Sequence, residues 1–359
     1  MTLAAFVIVS MSVETIAMQP SISPASYIDD GSDRISRLTD LPPPTPIASP
    51  QISLIFTGDI NLGRCVAKAA IMAGDFTYPF RYVADKLRSA DLTVGSLDGT
   101  ISDKSHPMPC PDSTNLIGPA RMVEGLQFAG FDLISAATNH IKDCGELGYD
   151  CDDRALLDTV ENLAGAGIQP VGAGETLAES RLPAVVERKG VRFAFLAINQ
   201  IDKRVWASAG NGGTAPLSPQ SIDQIKADIA SAKKIADVVI VLPQWGIEYA
   251  SLPDETQRTW AQEFLNAGAA LVIGNGPHIV QPVEVFPNGV AYYALGNFVF
   301  DQGQSFRREG VVVEAIFNGA KLENWHLLPV QINYFTYQPR WAEGSDVERI
   351  LGRATPLSQ

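Results

Sequence analysis

The sequence predicts an α/β domain over residues 51–330 in which two sheets pack between helices. Three observations carry this. Apolar runs of strand length alternate with segments of helical spacing through the first two thirds of the region. A series of closely spaced strands with a hairpin signal follows them. Polar residues recur where the apolar runs stop, and in open α/β sheets ligands sit at the carboxyl ends of strands. The alternation implies a mainly parallel sheet with helical crossovers, and the later hairpins a more antiparallel one.

Residues 51–57 (QISLIFT) are a short apolar run ending at Gly58-Asp59, which fits a buried strand stopping at a functional loop. Residues 78–90 repeat apolar side chains at helical spacing, and 91–97 return to strand. The next cycle is a helix over 119–129, a strand over 131–136 and a helix over 154–166. Residues 185–198 read as a hairpin turning at Lys189-Gly190. Helices are expected over 222–235 and 256–267, and strands over 238–242 and 270–273. Strands over 280–286, 290–295 and 310–317 complete the region, the first two joined by Pro287-Asn288-Gly289. No repeat of fixed period is present. Beyond Tyr334 the sequence is polar and expected to fray, so 331–359 reads as a C-terminal tail.

At 359 residues and 46% hydrophobic content the chain has ample material for a core. Its net charge of −13 argues against a nucleic-acid or anionic-membrane surface, because phosphate binding needs clustered Lys and Arg. Contact with a polyanion would require a local basic patch or a bridging cation. The four cysteines, Cys65, Cys110, Cys144 and Cys151, have no C-x-x-C spacing, which weighs against a zinc ribbon or a redox pair. Cys144 and Cys151 flank a short loop and suit a disulfide in an oxidising compartment; buried free thiols are the other reading.

Residues 3–11 (LAAFVIVSM) are an apolar run of signal-peptide length, too short to span a bilayer, yet the first positive residue is Arg34. Two readings stand: a leader or membrane-anchor remnant over 1–18 whose start lies upstream, or a hydrophobic tail. Residues 19–50 are rich in Pro and Ser and end in LPPPTPIASP, a composition that favours extended chain and cannot bury a core. An apolar leader followed by a stiff stalk reads as export to the cell envelope or beyond.

Four strand ends carry candidate chemistry. Asp59 in Thr57-Gly58-Asp59 and Asp98 in Gly95-Ser96-Leu97-Asp98-Gly99 are carboxylates, hard oxygen ligands for divalent cations, although helix-cap and turn roles suit them too. The third point is Thr138-Asn139-His140 with Asp143 and Gly145: Asn offers a carbonyl oxygen, and His is a ligand or a general acid near neutral pH. The fourth is Gly274-Asn275-Gly276-Pro277-His278. His106 and His326 read as structural residues.

In this order the points resemble the CapA family of poly-γ-glutamate capsule biosynthesis proteins, whose fold is similar to that of calcineurin-like metallophosphoesterases. The family signatures G-D-x-x-L-G-R, N-L-E, N-N-H-x-x-D-x-G, H-W-G-x-E-Y, G-H-x-P-H and S-L-G-N-F-x-F have counterparts here. They are Gly58-Asp59 through Arg64, Ser96-Leu97-Asp98, Thr138-Asn139-His140 with Asp143 and Gly145, Gln244-Trp245-Gly246 with Glu248-Tyr249, Gly274 through His278, and Ala294-Leu295-Gly296-Asn297-Phe298 with Phe300. Val171-Gly172-Ala173-Gly174 also matches a family loop. The likeness covers about residues 52–302 and implies a two-sheet α/β/β/α sandwich of the metallophosphoesterase type.

The resemblance implies that Asp59, Asp98, Asn139 and His278 are metal ligands, that Asp59 and His140 are catalytic, and that His140 polarises or protonates an oxygen of a bound ester or anhydride. Gln244 and Asn275 stand where the family has histidine, so an oxygen donor remains and the imidazole, the stronger transition-metal ligand, is lost. Such a site suits Mn²⁺, Mg²⁺ or Ca²⁺ better than Zn²⁺, as a single or weakly held ion. Arg64 would attract an anionic ligand, Trp245, Glu248 and Tyr249 would wall the cleft, and Asn297 would shape its floor. The implied partners are an anionic polymer or its membrane synthase and export machinery, with no nucleic acid. Three functions are expected: polymer biosynthesis, metal-dependent hydrolysis of phosphoester or related bonds, or binding without catalysis.

Overall fold

The first apolar run forms β1 (Gln51–Ile60). In the computed structural model, which describes residues 49–105, 110, 114–145 and 152–357, it is joined by the parallel strands β2 (Leu92–Leu97), β3 (Leu133–Ser135) and β4 (Gln169–Val171). The expected leader and the linker up to residue 48 lie outside the described residues. The chain then builds a second sheet from β5 (Ala184–Arg188), β6 (Val191–Asn199), β7 (Val238–Gln244), β8 (Leu271–Ile273), β9 (Val283–Phe286) and β10 (Gly289–Tyr292). Its order is β9-β10-β8-β7-β6-β5, parallel inside and antiparallel at both edges. Finally β11 (Asn297–Val299), β12 (Glu309–Asn318), β13 (Lys321–Ile332) and β14 (Pro339–Trp341) return to the first sheet, whose order is β14-β13-β12-β1-β2-β3-β4, with β11 beside β1.

Alternate residues of the same strands face different layers. Leu54, Phe56, Val94 and Leu133 of the first sheet meet Phe193, Phe195, Ile240 and Leu271 of the second in one inter-sheet core. Ile55 and Ile134 point the other way, onto α1 (Arg64–Ala73), α2 (Ala84–Arg88) and α3 (Val123–Ala129), through Val66, Leu87 and Leu126. Leu196, Val239 and Val241 pack under α5 (Ile222–Ile235) and α6 (Glu255–Asn266) through Ile229 and Phe264; α4 (Arg154–Gly165) contributes Leu156 to a smaller cluster. Both faces of each central strand are therefore buried, which is why the runs read as continuously apolar. This is the α/β/β/α layering expected. The capping box of Asp254 and Gln257 starts α6 within one residue of its predicted end.

The structure corrects several boundaries. Residues 78–90 are not one helix: a 3₁₀ turn over Tyr78–Phe80 and α2 are separated at Val83, whose φ of −122° lets Phe80 and Val83 both reach the core. The helix expected over 119–129 opens as a 3₁₀ turn, Ala120–Met122. Strands expected over 280–286 and 290–295 are shortened to β9 and β10, because Val280 and Leu295 leave the ladder and pair only as an isolated bridge beside the site. The polar tail does not fray: β14 pairs with β13, and α7 (Ser345–Leu351) is followed by Ala354, which with Ile350 closes the end of the inter-sheet core. β13 pairs along β12.

Cys65 and Cys110 form a disulfide, a pairing the spacing did not indicate, with Cα atoms 4.7 Å apart. Cys144 is also disulfide-bonded; Cys151, its expected partner, lies outside the described residues. For the described cysteines the free-thiol reading is thus overturned, since none of them is free. Among the described residues no helix is long and apolar enough to cross a membrane.

Candidate functional site

The carboxyl ends of β1, β2, β3, β7 and β8 meet on one edge, and each delivers a predicted residue there. Asp59 is aimed by an irregularity: the register of β1 slips against both β2 and β11 around this residue, and such a bulge turns a side chain out of the ladder. Gly58 allows the turn because a β-carbon there would lie 2.0 Å from the Gly296 carbonyl oxygen. The Asp59 amide then donates to that same oxygen at 2.9 Å. Gly274 does the corresponding work after β8, since a β-carbon would meet Tyr293 O at 2.2 Å.

Asp59 and Asp98 are fully buried, and His278 lies between them. Its Nδ1 stands 3.1 Å from Asp59 Oδ2 and 3.1 Å from Asn297 Oδ1, and its Nε2 is 3.7 Å from Asp98 Oδ2. Burial alone would push the imidazole below its ordinary value; the hydrogen bond and charge of Asp59, then the charge of Asp98, outweigh it and raise the pKa to about 9. Thr138 Oγ1 donates to Asp98 Oδ1 at 2.6 Å and accepts from the His140 amide at 3.1 Å, tying the Asn139-His140 loop to β2. His140 Nδ1 lies 2.7 Å from Asp143 Oδ2, which also accepts from Leu116 N. Burial would lower the His140 pKa, but Asp98 and Asp143 raise it. Asn139 is half-buried and makes no side-chain hydrogen bond among the described residues.

Several polar atoms here have no hydrogen-bond partner although buried: Asp59 Oδ1, Asp98 Oδ2, both amide atoms of Gln244, and Asn275 Oδ1. Each such atom costs about 1–3 kcal/mol if nothing satisfies it, and buried polar groups in folded proteins are nearly always paired. Gln244 and Asn275 sit side by side at the ends of β7 and β8, their backbones linked by Trp245 N to Asn275 O at 2.9 Å. Among the described residues there is no group of three or more His, Cys, Asp or Glu side chains set to hold a metal ion.

The flanking residues divide. Trp245 does not wall the cleft: it is fully buried between Phe264 and Tyr293 under the second sheet, with Nε1 donating to Tyr293 O at 2.8 Å. Glu248 is exposed. Tyr249 is half-buried, its ring centroid 6.3 Å from that of His278, and burial with the neighbouring Glu248 raises its hydroxyl to about 12. Asn297 orients His278 and donates to Arg307 O at 2.7 Å. Arg64 is held by Asp301, which also accepts from Asn61 Nδ2 and Cys65 N. Arg64, Tyr249 and His278 all have left-handed φ, at 46°, 62° and 60°. A strained backbone of this kind costs about 1–3 kcal/mol and clusters at functional sites. The sequence reading missed Arg307, Asp301 and the roles of Thr138 and Asp143; for Asp143 the three-residue spacing from His140 was the available signal.

Fold and site together define an α/β/β/α protein whose sheet edge gathers two buried carboxylates, an imidazole and unpartnered amides. The chain belongs to the family described as bacterial capsule synthesis protein PGA_cap, whose family model matches residues 53–302. It is 29% identical over 290 residues to the PGA biosynthesis protein CapA of Bacillus subtilis, covering 80% of this chain and 73% of that protein. It is also 29% identical over 268 residues to the capsule biosynthesis protein CapA of Bacillus anthracis, covering 74% and 63%. Among solved structures, the NAD nucleotidase of Haemophilus influenzae is similar at 12% identity over 85% of this chain and 56% of that one, with a TM-score of 0.44.

Proposed function

We propose that this chain is an exported factor in the synthesis of a poly-γ-glutamate-like anionic polymer, which it binds at the sheet-edge cleft with the help of an oxygen-preferring divalent cation. The family and the names of its relatives support the polymer class. The Cys65–Cys110 disulfide supports an oxidising, extracytoplasmic setting.

The observation that carries the cation is the set of unpartnered buried oxygens, Asp59 Oδ1, Asp98 Oδ2 and Asn275 Oδ1, together with Gln244 Oε1. All are hard donors, so they fit Mg²⁺, Ca²⁺ or Mn²⁺ and suit Zn²⁺ poorly. Asp59, Asp98, Gln244, Asn275 and His278, with Asn139, would hold the ion, which would neutralise charge on an anionic ligand and polarise its oxygen. With the ion bound, His278 would give up its proton and Asn297 would keep its ring in place.

A second reading, metal-dependent hydrolysis, is favoured by the His140–Asp143 pair. A carboxylate on Nδ1 fixes the tautomer and leaves Nε2 to pass a proton to a leaving oxygen or nitrogen. Both readings are tested by following metal-supplemented turnover of a γ-glutamyl oligomer and a phosphodiester, in wild type and His140→Ala. Turnover of either substrate, abolished in the variant, supports hydrolysis. Retention of the oligomer without turnover supports binding alone, and neither retention nor turnover sinks the proposal.

A further inference from the structure

Arg307 ends the 3₁₀ turn Ser305–Arg307 that joins the site strand β11 to β12. Its guanidinium carbon lies 3.4 Å from the centroid of the Tyr249 ring and 5.5 Å from that of Phe306. Among the described residues no carboxylate is paired with it, and its Nε is buried without a hydrogen-bond partner. In a chain of net charge −13, where most described arginines are engaged by acids, such a group has been left uncommitted.

Its placement is fixed from two sides. Asn297 Nδ2 donates to the Arg307 carbonyl at 2.7 Å while Oδ1 of the same amide lies 3.1 Å from His278 Nδ1, so one side chain ties the arginine backbone to the site imidazole. On the other side Tyr249 holds its left-handed backbone through its amide, which donates to Pro277 O at 2.8 Å, next to the equally strained His278. The tyrosine ring thus touches the guanidinium and stands 6.3 Å from the imidazole. A guanidinium stacked on an aromatic face keeps its edge donors free and pre-ordered for an oxyanion. Arg64, the arginine the motifs point to, is already satisfied by Asp301.

We propose that Arg307, stacked on Tyr249, is the anion-recognition residue of the cleft, taking a carboxylate or phosphate group of the ligand one ring away from the Asp59–His278 centre. The inference rests on the reading of that centre as a ligand site. The two anion sources separate by titrating the full chain calorimetrically with a γ-linked glutamate oligomer and, separately, with inorganic phosphate. The proteins are wild type, Arg307→Ala, Arg307→Lys and Arg340→Ala, the last removing a guanidinium stacked on Tyr82 instead.

The expected result is that Arg307→Ala weakens binding at least tenfold, Arg307→Lys by an intermediate factor, and Arg340→Ala by less than twofold. Oligomer binding that is unchanged in a folded Arg307→Ala protein overturns the assignment of Arg307 and leaves the polymer reading standing. Phosphate binding that depends on Arg307, with no oligomer binding, supports Arg307 and overturns the polymer reading. Binding of neither probe by the wild type overturns both. If Arg307→Ala does not fold, Arg307→Lys decides: it keeps the charge and loses the fork, and a change below threefold overturns the assignment.

Discussion

His278 Nδ1 lies 3.1 Å from Asp59 Oδ2, joining the end of the eighth strand to the end of the first across two different sheets. The imidazole stands between two buried carboxylates, whose hydrogen bond and charge outweigh burial and raise its pKa to about 9. On the proposed reading, a divalent cation held here would have to displace that proton, so metal binding would compete with protonation.

Metal stoichiometry and affinity follow from this. Purified protein is expected to carry at most one divalent ion per chain by elemental analysis, with Mn²⁺ or Ca²⁺ held more tightly than expected for Zn²⁺ in an oxygen-rich site. Replacing Gln244 and Asn275 together by histidine should raise transition-metal affinity at least tenfold in a calorimetric titration. Two tightly held ions in the wild type would refute the single-ion reading, and no gain in the double variant would show that these positions face away from the ion.

Gln244 tests whether the unpartnered atoms are a cost kept for function. Both its amide atoms are buried without partners, and replacing a lone buried polar group by an apolar one of similar shape is neutral or stabilising. In metal-free buffer Gln244→Met should leave stability unchanged or raise it by about 1 kcal/mol, measured by chemical denaturation, while metal affinity falls. A loss above about 2 kcal/mol would mean that the amide is satisfied.

The Cys65–Cys110 bridge closes 45 residues of chain, for which the chain-entropy model gives about 4 kcal/mol and typical values are about 2–4 kcal/mol. Cys65→Ser with Cys110→Ser should therefore lower the thermal midpoint by several degrees. An unchanged midpoint would count against the bridge in the native protein.

Acid stability has an identifiable contributor away from the site. Arg258 donates to both oxygens of Glu284, at 2.8 and 3.1 Å, and Tyr293 Oη adds a third bond at 2.6 Å. The Arg258 guanidinium, outweighing burial, holds this carboxyl below its ordinary value of 4.5. A depressed folded pKa gives stability that is complete above the unfolded value and lost as pH falls through the folded one. Glu284→Gln should then cost about 1–3 kcal/mol at pH 7, a difference that is constant down to about pH 4.5 and shrinks below it. Equal denaturation midpoints for the two proteins at pH 7 would rule this out.

The layering was legible because local patterning and burial agree. Runs such as 238–242 are apolar on every residue only when both faces of a strand are covered, and 222–235 has helical spacing from end to end, so these elements stand where the pattern puts them. Legibility failed where long-range contacts overrule the local pattern. Residues 78–90 carry a helical period, yet Phe80 and Val83 both have to reach the core, and the helix breaks between them. Residues 331–359 look too polar to fold, yet Ile350 and Ala354, with Ala342 and Leu351 packed beside them, help close a core whose other walls come from distant strands.

At the site the division is similar. The residue types and their strand-end positions were determined by the sequence alone, because a turn after a buried strand needs Gly and polar side chains wherever it occurs; Asp59, Asp98, His140 and His278 could be named on that basis. Their grouping was decided only by the tertiary structure. Packing takes Trp245 into a core, commits Arg64 to Asp301, and brings Arg307, from a loop with no signature of its own, onto Tyr249. Side-chain partnership depends on which strand ends two facing sheets bring together, and that is a property of topology that no local window of sequence contains.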